Sequence, residues 1–272
     1  MEVSPAFMIR PITLIRLVSL LLLQAMLFVS SAQAGAAVLD GIVNTAFSPG
    51  EKLTYDISWS NIIEAGIAVM EVKEGRTPEG KPAYIYVSTT RSVGIVERFF
   101  PVRDTVKSIV DAAGLYSDVF SLKESHGKKK REREMVFDHD NGTVRVTVNG
   151  ESKTYPARPW VQDPLSSLYY IRARDDFIVG KSLRVDVHDN DKTWAVDIQV
   201  LGKERIKTPA GEFDTVLVKT YPKYEGVFMN KGEIYIWMTD DSRRMPVLMK
   251  STITIGSIVA TLTGYEEGGA QK

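Results

Sequence analysis

From residue 48 onward the chain alternates apolar and polar positions in steps of two, interrupted by short clusters of turn-forming residues. Within Glu51–Ser60, Leu53, Tyr55, Ile57 and Trp59 point one way and Lys52, Thr54, Asp56 and Ser58 the other, which predicts a strand with one covered face. Gly66–Val72 and Tyr84–Thr90 read as the next two strands. The middle of the chain reads as a meander. Asp140-Asn141-Gly142 separates Glu134–Asp138 from Thr143–Val148, and Asn149-Gly150 turns that strand into Ser152–Tyr155, both turns using residues that tolerate positive φ. Asp189-Asn190-Asp191 joins Leu183–His188 to Thr193–Leu201, and Pro209-Ala210-Gly211 leads into Phe213–Thr220. Gly232–Met238, Pro246–Ile255 and Ser257–Tyr265 complete the series.

Short connections leave no room for crossover helices, so neighbouring strands must be antiparallel. The predicted fold is all-β and mainly antiparallel: a curled sheet or open β-barrel of about eleven strands with two short helices. In the first helix Ile95, Val96, Phe99 and Phe100 form an apolar stripe just before Pro101, which ends it. The second carries Asp163 as N-cap, Pro164 at the first position, and Leu165, Leu168, Tyr169 and Arg172 along one side. Helices this short hold only when packed against the sheet.

No repeat or composition break divides residues 48–265, so they are read as one β domain, with 35–47 a flexible lead-in and 266–272 a frayed tail. The first 34 residues read as a secretory leader. Arg10 and Arg16 precede an apolar stretch from Leu17 to Val29, followed by Ala32-Gln33-Ala34, an A-x-A cleavage pattern. The alternative is an uncleaved anchor, but about thirteen apolar residues fall short of the ~20 that span a bilayer. Cleavage near Ala34 would leave a periplasmic or secreted protein, not an integral membrane protein. The chain has no cysteine, which excludes both a lipid-modified N-terminus and disulfides. Roughly 240 remaining residues can bury a core without covalent staples.

Charge is balanced, with 34 basic and 34 acidic residues, so no nucleic-acid partner is indicated. The one basic cluster, Lys128-Lys129-Lys130-Arg131, reads as a solvated hairpin tip or as a contact for lipid headgroups or an acidic partner. His126, His139 and His188 lie in or beside predicted turns without metal-ligand spacing and read as exposed; no metal or cofactor is expected. The carboxylate pairs Asp240-Asp241, Asp175-Asp176 and Asp138 with Asp140 could serve acid and base roles in glycan hydrolysis, but they stand among turn formers where Asp caps amides. No nucleophile elbow or phosphate loop is present, and no catalytic residue is assigned.

A sheet of this size must curl over either a packed core or a cavity. The residues that would line a cavity or hold a ligand at its mouth are Tyr55, Trp59, Phe99, Phe100, Arg103, Trp160, Tyr169, Arg172 and Trp237; Trp194 is a further aromatic. Arg103 with Asp104, and Arg172, would alternatively form buried ion pairs pinning the helices to the sheet.

Phe47-Ser-Pro-Gly-Glu-Lys-Leu-Thr-Tyr-Asp-Ile-Ser-Trp59 with Ala65-Gly66 resembles the opening of domain-of-unknown-function family 3108, a set of exported bacterial proteins. Phe100-Pro-Val-Arg-Asp104, Asp163-Pro-Leu-Ser-Ser-Leu-Tyr-Tyr-Ile-Arg172, Thr208-Pro-Ala-Gly-Glu-Phe213 and Ile236-Trp-Met-Thr-Asp-Asp241 before Arg244-Met-Pro246 extend the resemblance in order. A looser likeness to open-barrel periplasmic carriers of lipids or lipoproteins implies an apolar or amphipathic envelope ligand by analogy of fold. The expected function is therefore non-catalytic binding of such a ligand. The alternatives are a structural or interaction protein with an envelope partner, and an envelope glycan hydrolase.

Overall fold

The computed structural model describes residues 42–220, 233–252 and 256–269. The expected leader, 1–34, and its expected cleavage site lie outside the described residues. Strands β1 (Lys52–Trp59), β2 (Ile63–Arg76) and β3 (Pro82–Ser92) precede helix α1 (Gly94–Phe99). After it come β4 (Val102–Asp111), β5 (Ser117–His126), β6 (Lys129–Asp138), β7 (Thr143–Val148) and β8 (Glu151–Pro156). Helix α2 (Ser166–Arg172) leads to β9 (Ser182–Asp189), β10 (Lys192–Thr208), β11 (Gly211–Thr220), β12 (Ile234–Thr239), β13 (Pro246–Thr252) and β14 (Ser257–Glu266).

Alternation makes these strands what they are. In β1, Leu53, Tyr55 and Ile57 are buried while Asp56 faces water, as the sequence predicts. The turn at Asn149-Gly150 has both residues at positive φ (50° and 92°), the conformation that fits the twist of a two-residue hairpin. Gly66 lets β2 approach β3 closely, since a Cβ there would lie 2.7 Å from the Arg91 carbonyl oxygen.

All fourteen strands form one antiparallel sheet in the order β8-β7-β6-β5-β4-β3-β2-β1-β14-β13-β12-β11-β10-β9. Each neighbour is also the neighbour in sequence, except where β1 meets β14: Leu53 pairs Tyr265 and Trp59 pairs Ile258. The chain ends thus join in mid-sheet, and the two edges are β8 and β9, consecutive in sequence. The sheet curls without closing. The connection between its edges passes Gln162 alongside β9, where the Gln162 amide donates to the Asp186 carbonyl (2.9 Å) and the His188 amide to the Gln162 carbonyl (2.8 Å). It then carries α2 onto the concave face, where Ser166, Ser167, Leu168, Tyr169, Ile171 and Arg172 are all buried.

Among the described residues the count of about eleven strands is corrected to fourteen. The missed strands are β4 and β5, whose inward positions include Asp104, Ser108 and Ser117. Polar residues there dilute the alternation that marks a half-buried strand.

The barrel has two ends. One holds the β1–β2 hairpin, α1, and the β5–β6 and β7–β8 hairpins; the other holds the segments that enter β1 and leave β14. No helix of the described residues is long and apolar enough to cross a membrane.

Candidate functional site

The concave face is centred on α2. The Arg172 guanidinium forms a forked pair with Glu51, Nη1 to Oε1 and Nη2 to Oε2, each at 2.7 Å, and donates to the carbonyls of Ala46 and Arg243 (3.2 Å each). The rings of Phe47 and Tyr169 flank the cation at 5.3 Å. Tyr169 stacks on Tyr86 of β3 with ring centroids 3.9 Å apart, and Phe47 meets Tyr169 edge-on. Tyr55 donates its hydroxyl to the Pro246 carbonyl (2.8 Å). Burial pushes the Tyr55, Tyr86 and Tyr169 phenols above their ordinary range.

The other end of α2 is held by Asp163. Its Oδ1 accepts from Ser108 of β4 (2.8 Å) and from the amides of Leu165 (2.7 Å) and Ser166 (2.9 Å), and its Oδ2 accepts from Ser117 of β5 (2.5 Å). Asp163 therefore caps the turn into α2 while tying it to two strands. Burial raises its pKa against the lowering effect of these hydrogen bonds.

Beside the Arg172 anchor lies a cleft of about 320 Å³, bounded by residues 44–48, the turn before β13 and the end of β14. Phe47, Leu53 and Met245 give it an apolar wall; Arg243, Glu266 and Glu267 give it a charged rim, with the buried Glu51 behind. Arg243 is held by Asp241 (Nη2–Oδ2 2.7 Å) and by Glu267 (Nη1–Oε1 2.6 Å), and the Asp241 hydrogen bond raises its pKa. A cleft with an oily wall and a fixed cation beside carboxylates can hold an amphipathic molecule by both its parts.

The nine residues singled out in the sequence do not share one place. Tyr55, Tyr169 and Arg172 meet in the packed core behind the cleft. Trp59 is half-buried at the far end, where α1 carries Phe99 and Phe100 follows it. Arg103 forms an exposed pair with Glu97 of α1 (2.6 Å) and not with Asp104, which instead faces His126 (3.0 Å). Trp160 stacks on His139 near the seam (5.3 Å), and Trp237 stands on the outer face, donating to Glu204 (2.5 Å). Phe47, Arg243, Met245 and Tyr265 line the cleft although nothing in their spacing brought them together; only the β1–β14 pairing does so.

The expectation of exposed histidines is corrected: all three are at least partly buried. His139 accepts from the Trp160 amide at Nδ1 (3.1 Å) and donates from Nε2 to the Ser117 carbonyl (2.9 Å). Burial lowers the His188 pKa to about 4. Asp118, 3.8 Å from His139, is raised to about 7 by burial and by the charges of Glu79 and Asp111. Among the described residues no group of three or more His, Cys, Asp or Glu could hold a metal ion. The carboxylate pairs are engaged locally. Asp240 meets Lys203 (2.6 Å), Asp241 accepts from Thr239 and Arg243, Asp176 pairs with Arg174, and Asp138 accepts from Asn141.

An open antiparallel barrel with its sequence-central helix folded inward defines a class of barrel-like proteins, and one solved structure shares that fold. A solved structure of a beta-barrel-like protein of domain of unknown function DUF1849 from Brucella abortus is similar to the chain at a TM-score of 0.59 with 12% identity, covering 83% of this chain and all of that one. A Bacteroides fragilis protein with a YmcC-like fold covers 81% of this chain and 97% of its own at 13% identity, with a TM-score of 0.32. No curated protein matches. The chain belongs to the family described as protein of unknown function (DUF3108), which matches residues 54–263.

Proposed function

We propose that this protein is a non-catalytic binding protein of the bacterial envelope that takes an amphipathic molecule in the cleft between Phe47, Met245 and Arg243. The observation that carries the reading is the cleft itself. Its volume of about 320 Å³ falls at the lower end of small-ligand sites, which suits one apolar chain with a polar head. The leader-like first 34 residues support export. The ligand would sit at the barrel's end and not within it, because α2 and the stacked Tyr86, Tyr169 and Phe47 fill the concave face.

A partner held by strand addition finds less support. The free edge of β8 carries Glu151, Lys153 and Pro156, which blunt an edge against pairing. Native mass spectrometry of the protein recovered from its own cells, before and after organic extraction, tests the binding reading. A stoichiometric adduct removed by extraction is expected. A clean apo mass that persists after incubation with envelope lipids would contradict it.

A further inference from the structure

At the end of the barrel opposite the cleft, α1 is built inside out. None of its residues is buried. Its carboxylate faces the protein, Glu97 accepting from Arg103 Nη2 (2.6 Å), from Arg103 Nη1 (2.7 Å) and from the Ser92 hydroxyl. Ile95 and Phe99 face water, 60% and 73% exposed, while Val96 packs against the core. A six-residue helix gains nothing from propensity alone, so the polar pins hold this one in place. The adjacent β1–β2 hairpin adds Ile62 at 81% exposure. Three large apolar side chains on a fixed rim, facing water together, mark a surface that is covered in use.

The charge around them says by what. The β5–β6 hairpin lies directly against α1: the Gly127 amide donates to the Pro101 carbonyl (2.8 Å), and the Phe100 and His126 rings are 6.4 Å apart. It brings Lys128, Lys129 and Lys130, all exposed, to the same end, and Arg98 of α1 adds a fourth cation. Of the carboxylates there, Glu97 is taken by Arg103, Glu124 by Arg131 (3.7 Å) and Glu132 by Lys123 (3.6 Å), while Glu64 and Glu151 stay exposed. Apolar residues that can enter a hydrocarbon boundary, ringed by cations at headgroup level, match the chemistry of an anionic bilayer surface.

We propose that this end of the barrel docks on an anionic lipid surface, inserting Ile62, Ile95 and Phe99 while Lys128, Lys129 and Lys130 contact the phosphates. The proposal is independent of the cleft and stands whether or not the cleft binds a ligand.

Flotation of the protein recovered from its own cells, with vesicles of phosphatidylcholine alone or with added phosphatidylglycerol, tests it. Wild type should float with the anionic vesicles and lose that partition as salt rises. Lys128→Glu with Lys129→Glu and Lys130→Glu should weaken partition by roughly a hundredfold, about fivefold or more per cation. Ile95→Ser with Phe99→Ser should weaken it about tenfold or more. The replaced side chains are exposed, so melting should be unchanged and the loss attributable to the surface. The emission of Phe99→Trp should shift to the blue on anionic vesicles. Failure of wild type to float, flotation that survives both sets of substitutions, or a Phe99→Trp emission still characteristic of water would each overturn the proposal. So would a dimer in sedimentation that Ile95→Ser with Phe99→Ser abolishes, since that would assign the patch to a second copy of the chain.

Discussion

Helices α1 and α2 are nearly equal in length and opposite in design. Helix α2 turns six of its seven residues into the concave face, its ends fixed by a buried forked ion pair and by a buried carboxylate that accepts four hydrogen bonds. Helix α1 fully buries none of its six; the carboxylate of Glu97 and the half-buried Val96 face inward. An apolar stripe therefore does not say where a short helix points. The fixed polar contacts decide, and they can hold an apolar face outward as firmly as inward.

The largest effect should come from Arg172→Ala. It would leave Glu51 buried without its cation and cost about 3–5 kcal/mol in denaturant unfolding. Replacing both partners with Leu should recover much of that loss; if the double variant is no better than the single one, the pair is more than a mutual neutralisation. Ser117→Ala should cost less, about 1–3 kcal/mol, by removing the donor to Asp163 Oδ2 and loosening α2 from β5.

Acid should separate the helices next. The Glu97 pKa is lowered from 4.5 to about 2, first by the Arg103 hydrogen bond and then by Ser92. A carboxylate with a depressed folded-state pKa contributes its stabilisation above the unfolded value and loses it as pH falls toward the folded one. Amide exchange in α1, compared with the intrinsic rate at each pH, should therefore speed up below about pH 4.5 while α2 stays protected; equal loosening of both would refute the distinction. The smallest effect belongs to Phe99→Ser, which should change unfolding free energy by no more than about 0.5 kcal/mol because the ring touches little but water.

Much of the architecture was legible in the chain. The alternation of β1, the positive-φ hairpin at Asn149-Gly150, the Asp163 cap and the antiparallel order all follow from local rules. What escaped was set by distant partners. Strands β4 and β5 carry inward Ser108 and Ser117 because Asp163, about fifty residues later in the chain, needs donors there. Glu97, not Asp104, pairs with Arg103 because α1 folds back on β4; His139 and His188 are buried at the seam between β8 and β9, and His126 is covered where it faces Asp104. The cleft was invisible for the same reason. Phe47, Met245 and Tyr265 stand together only once β1 and β14 pair.

The most direct test of the central claim is binding of a labelled lysophospholipid to wild type, Thr45→Trp and Arg243→Glu. Thr45 is exposed at the cleft, so a Trp there would fill the space without disturbing the core, and Arg243→Glu reverses the charge at its rim. Saturable one-to-one binding to wild type, weakened at least tenfold in both variants with melting preserved, is the predicted result. Unchanged affinity in the two variants, or no saturable binding by wild type, would contradict it.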